Sequence, residues 1–255
     1  MAPHESITGA IRASVAAGRP ALVAFMTAGF PESERFVTDL AAIGNEADVV
    51  EIGVPFSDPM ADGLTIQRSS HVALAQGVSL RWILAELTRM QPKPRAPILL
   101  MSYLNPLMAY GFGSLPAAAR AAGVSGFIVP DLPFEESAEF RAALATEGLG
   151  LVQLVTPVTP PERLRMLCEA SAGFVYAVTM MGTTGRSVDL AAEALEYMDR
   201  VRQVSPLPVC AGFGIRSREQ VGNLRGHVDG VIVGSALVEV LERGEDPAAY
   251  LRGLR

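Results

Sequence analysis

The chain has 255 residues, 49% hydrophobic and 19% charged, which is enough apolar matter for a large core and too much for a disordered segment. Its 21 basic and 27 acidic residues leave a net charge of −6, which argues against a nucleic-acid backbone as the main partner. Lys93 is the only lysine, and with three histidines and two cysteines the composition argues against lysine imines, His-rich metal sites and disulfide frameworks.

The first residues carry His4 and Glu5 and no early apolar stretch, so no secretory signal is expected there. Residues 5–17 have the spacing of an amphipathic helix. After it, short apolar or β-branched runs recur at 21–28, 48–53, 98–103, 126–131, 149–155, 173–179, 208–214 and 230–235, each read as a strand. Helical spacing fills the intervals, for example at 33–43, 135–147, 161–170, 191–204 and 218–224. These segments tend to open on Ser, Asp, Pro or Glu and to close on Gly, as capping requires. The uncharged run 96–119 is long enough to suggest a membrane span, but Pro97, Asn105, Pro106, Gly111, Gly113 and Pro116 interrupt it. It reads as a buried strand followed by a loop. Cys168 and Cys210 both sit in apolar surroundings, which fits a reduced, cytoplasmic setting.

Eight such strand–helix units fit an α/β chain folded as a (β/α)8 TIM barrel, one domain over residues 1–255, with the extra N-terminal helix covering the barrel floor. A doubly wound sheet has the same local pattern. Its usual Gly-x-Gly-x-x-Gly turn after the first strand is absent, however, and Thr27-Ala28-Gly29-Phe30-Pro31 stands there instead.

Barrel active sites gather at the C-terminal strand ends, which shortens the search. Strand two carries Glu51 among Val49, Val50 and Ile52 and runs on to Asp62-Gly63. A carboxylate buried there would have a raised pKa and could move protons near neutral pH; paired with an arginine at the rim, it would be structural only. Asp62 is weaker evidence, because Asp-Gly is a common turn. Strand four ends in Pro130-Asp131-Leu132-Pro133, and strand six carries Tyr176, whose loop reads Gly182-Thr183-Thr184-Gly185. Strands seven and eight end in Gly212-Phe213-Gly214 and Gly234-Ser235. Glycine lets backbone N–H groups approach an anion, a following helix start adds positive potential, and these two loops often hold phosphate in barrels. The same glycines also suit plain tight turns. Neither loop itself contains Arg or Lys, so a phosphate would rest on backbone. Lys93 lies between two prolines in a loop, and His4, His71 and His227 lack metal-ligand spacing, so no metal site is expected. Carboxylate acid–base chemistry on a phosphorylated substrate is what remains.

The segment Val50-Glu51-Ile52-Gly53-Val54-Pro55-Phe56-Ser57-Asp58-Pro59-Met60-Ala61-Asp62-Gly63 closely resembles the signature of the tryptophan synthase alpha chains. The likeness continues through Phe25-Met26-Thr27-Ala28-Gly29, Leu100-Met101-Ser102-Tyr103-Leu104-Asn105-Pro106, Pro130-Asp131-Leu132-Pro133, Gly212-Phe213-Gly214-Ile215 and Gly234-Ser235. The resemblance implies an aldehyde lyase that cleaves indole-3-glycerol phosphate to indole and glyceraldehyde 3-phosphate. It assigns general acid/base work to Glu51, the indole N–H to Asp62, and a place at the reacting centre to Tyr176. It implies an apolar indole pocket from Phe25, Ile66, Leu100, Ile128, Phe213 and Ile232, and phosphate on Thr184, Gly185, Gly214, Gly234 and Ser235. It further implies a pyridoxal-phosphate beta chain, joined in an alpha2beta2 complex, that receives indole and is contacted by Pro55, Asp58, Asn105 and Pro106. The cofactor then belongs to that partner, and this chain holds none. A subunit that only activates the beta chain, or a lyase acting alone, are the alternative readings. Two departures from the family pattern stand out: Leu64 replaces the usual Pro after Asp62-Gly63, and Thr179-Met180-Met181 lacks the usual Ser-Arg opening.

Overall fold

All seven side chains of the first strand are buried although only one face of a strand can look into a barrel, which means that the other face is covered too. The computed structural model, which describes residues 1–178, 192–212 and 214–255, explains this with eight parallel strands inside a helical layer. The strands are β1 (Ala21–Thr27), β2 (Val49–Gly53), β3 (Ile98–Met101), β4 (Val124–Ile128), β5 (Gly150–Val155), β6 (Val175–Val178), β7 (Val209–Gly212) and β8 (Gly230–Val233). β1 pairs with both β2 and β8, so the sheet closes into a (β/α)8 TIM barrel with no free edge.

Along each strand the side chains alternate between two packing regions. Val23, Val49, Leu99, Ile128, Val152, Phe174, Cys210 and Ile232 fill the barrel interior. Leu22, Val50, Leu100, Phe127, Leu151, Val175, Val209 and Val231 pack outward against helices. Burial on both sides is why these strands read as continuous apolar runs. Helix α1 (Pro3–Ala16) closes the floor, with Ile7 and Ile11 fully buried in the interior cluster. Thr8 Oγ1 donates to the Gly173 carbonyl at 2.7 Å and fixes the helix against the strand ends.

The outer layer comprises α2 (Phe36–Glu46), α3 (Leu64–Ala75), α4 (Leu80–Arg89), α5 (Leu104–Tyr110), α6 (Leu115–Ala122), α7 (Ala138–Thr146), α8 (Pro161–Ala170), α9 (Ala192–Val204), α10 (Arg218–Asn223), α11 (Ser235–Glu242) and α12 (Pro247–Gly253). One expectation is overturned. The stretch after β3 is not a loop but carries α5 and α6. Pro106 and Pro116 fall in the first turns of these helices, where the backbone N–H has no intrahelical partner to lose, so the residues taken as breakers are starters. Strand four is also offset, beginning at Val124 and ending at Ile128. Asp131 is thereby free of the ladder, and its carboxylate accepts the Leu104 N–H at 2.9 Å, where α5 begins.

Candidate active site

At the C-terminal end of the barrel a cavity of about 180 Å3 opens between the strands, and its walls come from six strands and the loops that follow them. Phe25, Glu51, Met101, Tyr176, Val178 and Ile232 supply side chains, while Gly212, Gly214 and Gly234 supply backbone. Asp62, Ile66 and Ser235 complete the rim. Phe25 and Glu51 are register neighbours on β1 and β2, and Gly212 and Ile232 on β7 and β8.

Glu51 is 1% exposed, and its Oε2 has no hydrogen-bond partner among the described residues. Among the described residues no arginine neutralises it. Burial, helped by the charge of Asp62, pushes its carboxyl up to about 8, so at neutral pH it holds a proton it can give away. Asp62 is partly buried, and desolvation lifts it to about 6 against the pull of the neighbouring Tyr103 hydroxyl. Two carboxyls facing one cavity therefore differ by about 2 units, one a proton donor and the other an anion at pH 7. The Tyr176 hydroxyl is held well above its ordinary range by burial and by the charges of Glu51 and Asp62, so it remains a donor.

Short polar contacts build the site's supports. The Asp62 N–H donates to the Pro59 carbonyl at 3.0 Å, and Gln67 Nε2 donates to the Asp62 carbonyl at 2.8 Å. Thr27 and Ser69 share a buried 2.6 Å hydroxyl contact, and Ser69 also donates to the Ile66 carbonyl at 2.8 Å. These bonds tie the end of β1 to the first turns of α3 and hold Ile66 at the cavity. On the opposite rim, Gly234 caps α11, whose first backbone N–H groups have no intrahelical acceptor. Gly214 adopts φ +64°, a left-handed turn that any side chain would strain. Arg216, just beyond it, is held by both oxygens of Glu239 and is not aimed at the rim.

Glu51, Asp62, Tyr176, Phe25, Ile66, Ile232, Gly214, Gly234 and Ser235 therefore meet at one cavity. Leu100 does not: it faces outward into the helical layer, and Met101 takes the cavity position, because inward parity on β3 runs through Leu99 and Met101. Ile128 points inward but lies within the interior cluster and not on the cavity wall. Thr184, Gly185 and Phe213, with the altered stretch Thr179-Met180-Met181, lie outside the described residues. Met101, Val178 and Gly212 were missed as wall residues; strict alternation from Leu99 and Tyr176 was the signal that could have found the first two. Of the four residues expected to touch a partner, Asp58 and Asn105 are exposed, Pro106 is half-buried and Pro55 is buried. Lys93 lies ahead of β3, away from the cavity rim, where its ammonium donates to the carbonyls of Leu87 and Ala122. Among the described residues no three His, Cys, Asp or Glu side chains gather as a metal-ligand set. Nor is any helix there long and apolar enough to cross a membrane.

A family model described as tryptophan synthase alpha chain matches residues 11–252. The tryptophan synthase alpha chain of Nitratidesulfovibrio vulgaris is 46% identical over 243 residues, 95% of each chain. That of Geobacter sulfurreducens is 42% identical over 246 residues, covering 93% of this chain and 92% of the relative. Among solved structures, the tryptophan synthase of Mycobacterium tuberculosis superposes with a TM-score of 0.89 at 38% identity, over 97% of this chain and 96% of that one. Tryptophan synthase subunit alpha from Legionella pneumophila gives a TM-score of 0.88 at 31% identity, over 100% and 97% of the two chains.

Proposed function

The chain belongs to the tryptophan synthase alpha chain family, and from that premise we propose how its own residues carry the reaction. It is the lyase subunit, cleaving indole-3-glycerol phosphate to indole and glyceraldehyde 3-phosphate and passing indole to a beta chain. The observation that supports the assignment of roles is the pair of carboxyls on one cavity, raised to about 8 and about 6.

Glu51 begins protonated and gives its proton to C3 of the indole ring. The ring becomes an iminium-like cation and can accept the electrons of the breaking carbon–carbon bond, so no lysine imine is needed. Asp62 begins ionised, accepts the ring N–H and stabilises the positive charge that develops there. Glu51, now a carboxylate, takes the proton of the side-chain hydroxyl as the bond to the ring breaks. Indole and the aldehyde leave, and Glu51 is protonated again. Each positioned proton transfer is typically worth about 10²–10⁴-fold. Tyr176 stays protonated and donates at the reacting centre. Phe25, Ile66 and Ile232 hold the apolar ring. The phosphate rests on Gly214, Gly234 and the start of α11, with the Ser235 hydroxyl as a further donor. Thr184, Gly185 and Phe213 keep the substrate roles that the family resemblance implies.

The partner face is the ground around Asp58, Asn105 and Pro106, with Pro55 beneath it. Met60, Leu64 and Met108 expose large apolar surface beside these residues, as a docking face requires. Pyridoxal phosphate belongs to the beta chain, because this barrel has no lysine at a cavity-facing strand end. Two buried, unpaired cysteines fit a cytoplasmic setting.

Glu51→Gln tests this assignment. It should lower indole release from indole-3-glycerol phosphate by at least about 10²-fold while leaving the circular dichroism spectrum unchanged. Full activity would remove Glu51 from the reaction.

A further inference from the structure

Tyr103 lines no part of the cavity, yet it is 6% exposed and stands against the loop that carries Asp62. Its hydroxyl accepts the Ala61 N–H at 2.9 Å, one residue before Asp62. A phenol has a single proton, and with Ala61 on the acceptor side that proton is left for the Asp62 carboxylate that the hydroxyl faces. The ring is fixed as well. It stacks on Phe56 with centroids 5.0 Å apart and planes at 26°, at the other end of the same loop. The backbone is held on both sides: Ser102 Oγ donates to the Tyr103 carbonyl at 2.9 Å, and the Leu104 N–H donates to Asp131 at 2.9 Å. One side chain near the end of β3 thus grips the β2 loop at Phe56 and at Ala61, and turns its hydroxyl towards Asp62.

We propose that Tyr103 is a positioning residue for the lyase reaction, holding the loop of residues 56–62 in place and its own proton on the Asp62 carboxylate, so that Asp62 meets the indole ring as an oriented anion. This rests on the role given to Asp62 above. A hydrogen bond to the charged form favours ionisation, so Tyr103 offsets part of the desolvation that would otherwise keep Asp62 protonated. The other titratable groups that face Asp62 among the described residues are Glu51 on β2 and Tyr176 on β6, and Asp131 in the loop after β4 faces Tyr103 from the far side. None of these is cationic. The tyrosine proton is the contact that favours the Asp62 anion, whereas Gln67 holds only its backbone.

Tyr103→Phe keeps the ring and its stack on Phe56 and removes only the hydroxyl. The Asp62 carboxyl, followed by 13C NMR, should titrate about one unit higher than in the wild-type chain, and the acid limb of kcat should move up with it. Indole release at pH 6 should fall about fivefold and return to within about threefold of wild type by pH 8.5. In an Asp62→Asn background the same change should leave the shape of the profile alone. Tyr103→Leu, which also loses the stack, should lower kcat across the whole range. An unmoved Asp62 titration in Tyr103→Phe would overturn the proposal, as would a loss of rate equal at every pH. Full activity of Asp62→Asn alone, with the titration shifted as expected, would leave Tyr103 holding Asp62 and overturn instead the role given to Asp62 in the reaction.

Discussion

A carboxyl that is 1% exposed and has no arginine beside it among the described residues is costly to ionise, and that cost is legible in two measurements. The first is catalytic. If Asp62 works as an anion and Glu51 as an acid, as proposed, kcat/KM should be bell-shaped with limbs near 6 and near 8. The second is thermodynamic. The folded-state pKa of Glu51 is raised, so the folded chain binds more protons than the unfolded one between its ordinary value of 4.5 and about 8. Its contribution is fully present below that window and is lost as pH rises through it. Measured by denaturant unfolding, Glu51→Gln should therefore gain on the wild type progressively from pH 4.5 to 8, by on the order of a few kcal/mol. A gap that stayed flat with rising pH would mean that Glu51 is solvated. A neighbouring glycine makes room for the site. A methyl group on Gly53 would lie 2.6 Å from the Phe25 ring, which forms the adjacent cavity wall. Gly53→Ala should cost about 1–3 kcal/mol of stability and raise the KM for the indole substrate as the ring shifts.

At the scale of elements, the loops after β7 and β8 bring a glycine turn and the start of α11 to the rim together. If the phosphate sits there, Ser235→Ala should raise the KM for indole-3-glycerol phosphate about 10- to 100-fold with kcat little changed, since hydrogen bonds to charged groups are worth about 1.5–3 kcal/mol. Unchanged kinetics would move the phosphate elsewhere. The elements also explain which expectations failed. Pro106 and Pro116 have the same composition whether they break a chain or begin a helix, and only their place in the first turn of α5 and α6 separates the two. Leu100 and Met101 are both apolar, and one step of register decides which of them lines the cavity and which meets a helix.

On the scale of the whole molecule, the barrel is a filled core closed at the floor by α1 and open at the catalytic end. Ile11 is fully buried among interior side chains of the strands, so Ile11→Ala should lower unfolding free energy by about 2–5 kcal/mol with kcat at 25 °C close to wild type. A loss of activity without loss of stability would contradict that division between floor and rim.

The amino-acid sequence by itself determined the eight strand–helix units and the anomaly of Glu51 in an apolar strand. It also determined the glycines at the ends of the last two strands, since periodicity and residue chemistry are local properties. Parity, pairing and proton affinity depend on neighbours distant in the chain, and only the tertiary structure decided those. It closed β1 onto β8, exchanged Leu100 for Met101 at the cavity, and set Tyr103 against Asp62. The scarcity of Lys, His and Cys left carboxylates as the available acid–base groups. Burial, and the proximity of the two, then gave them different proton affinities.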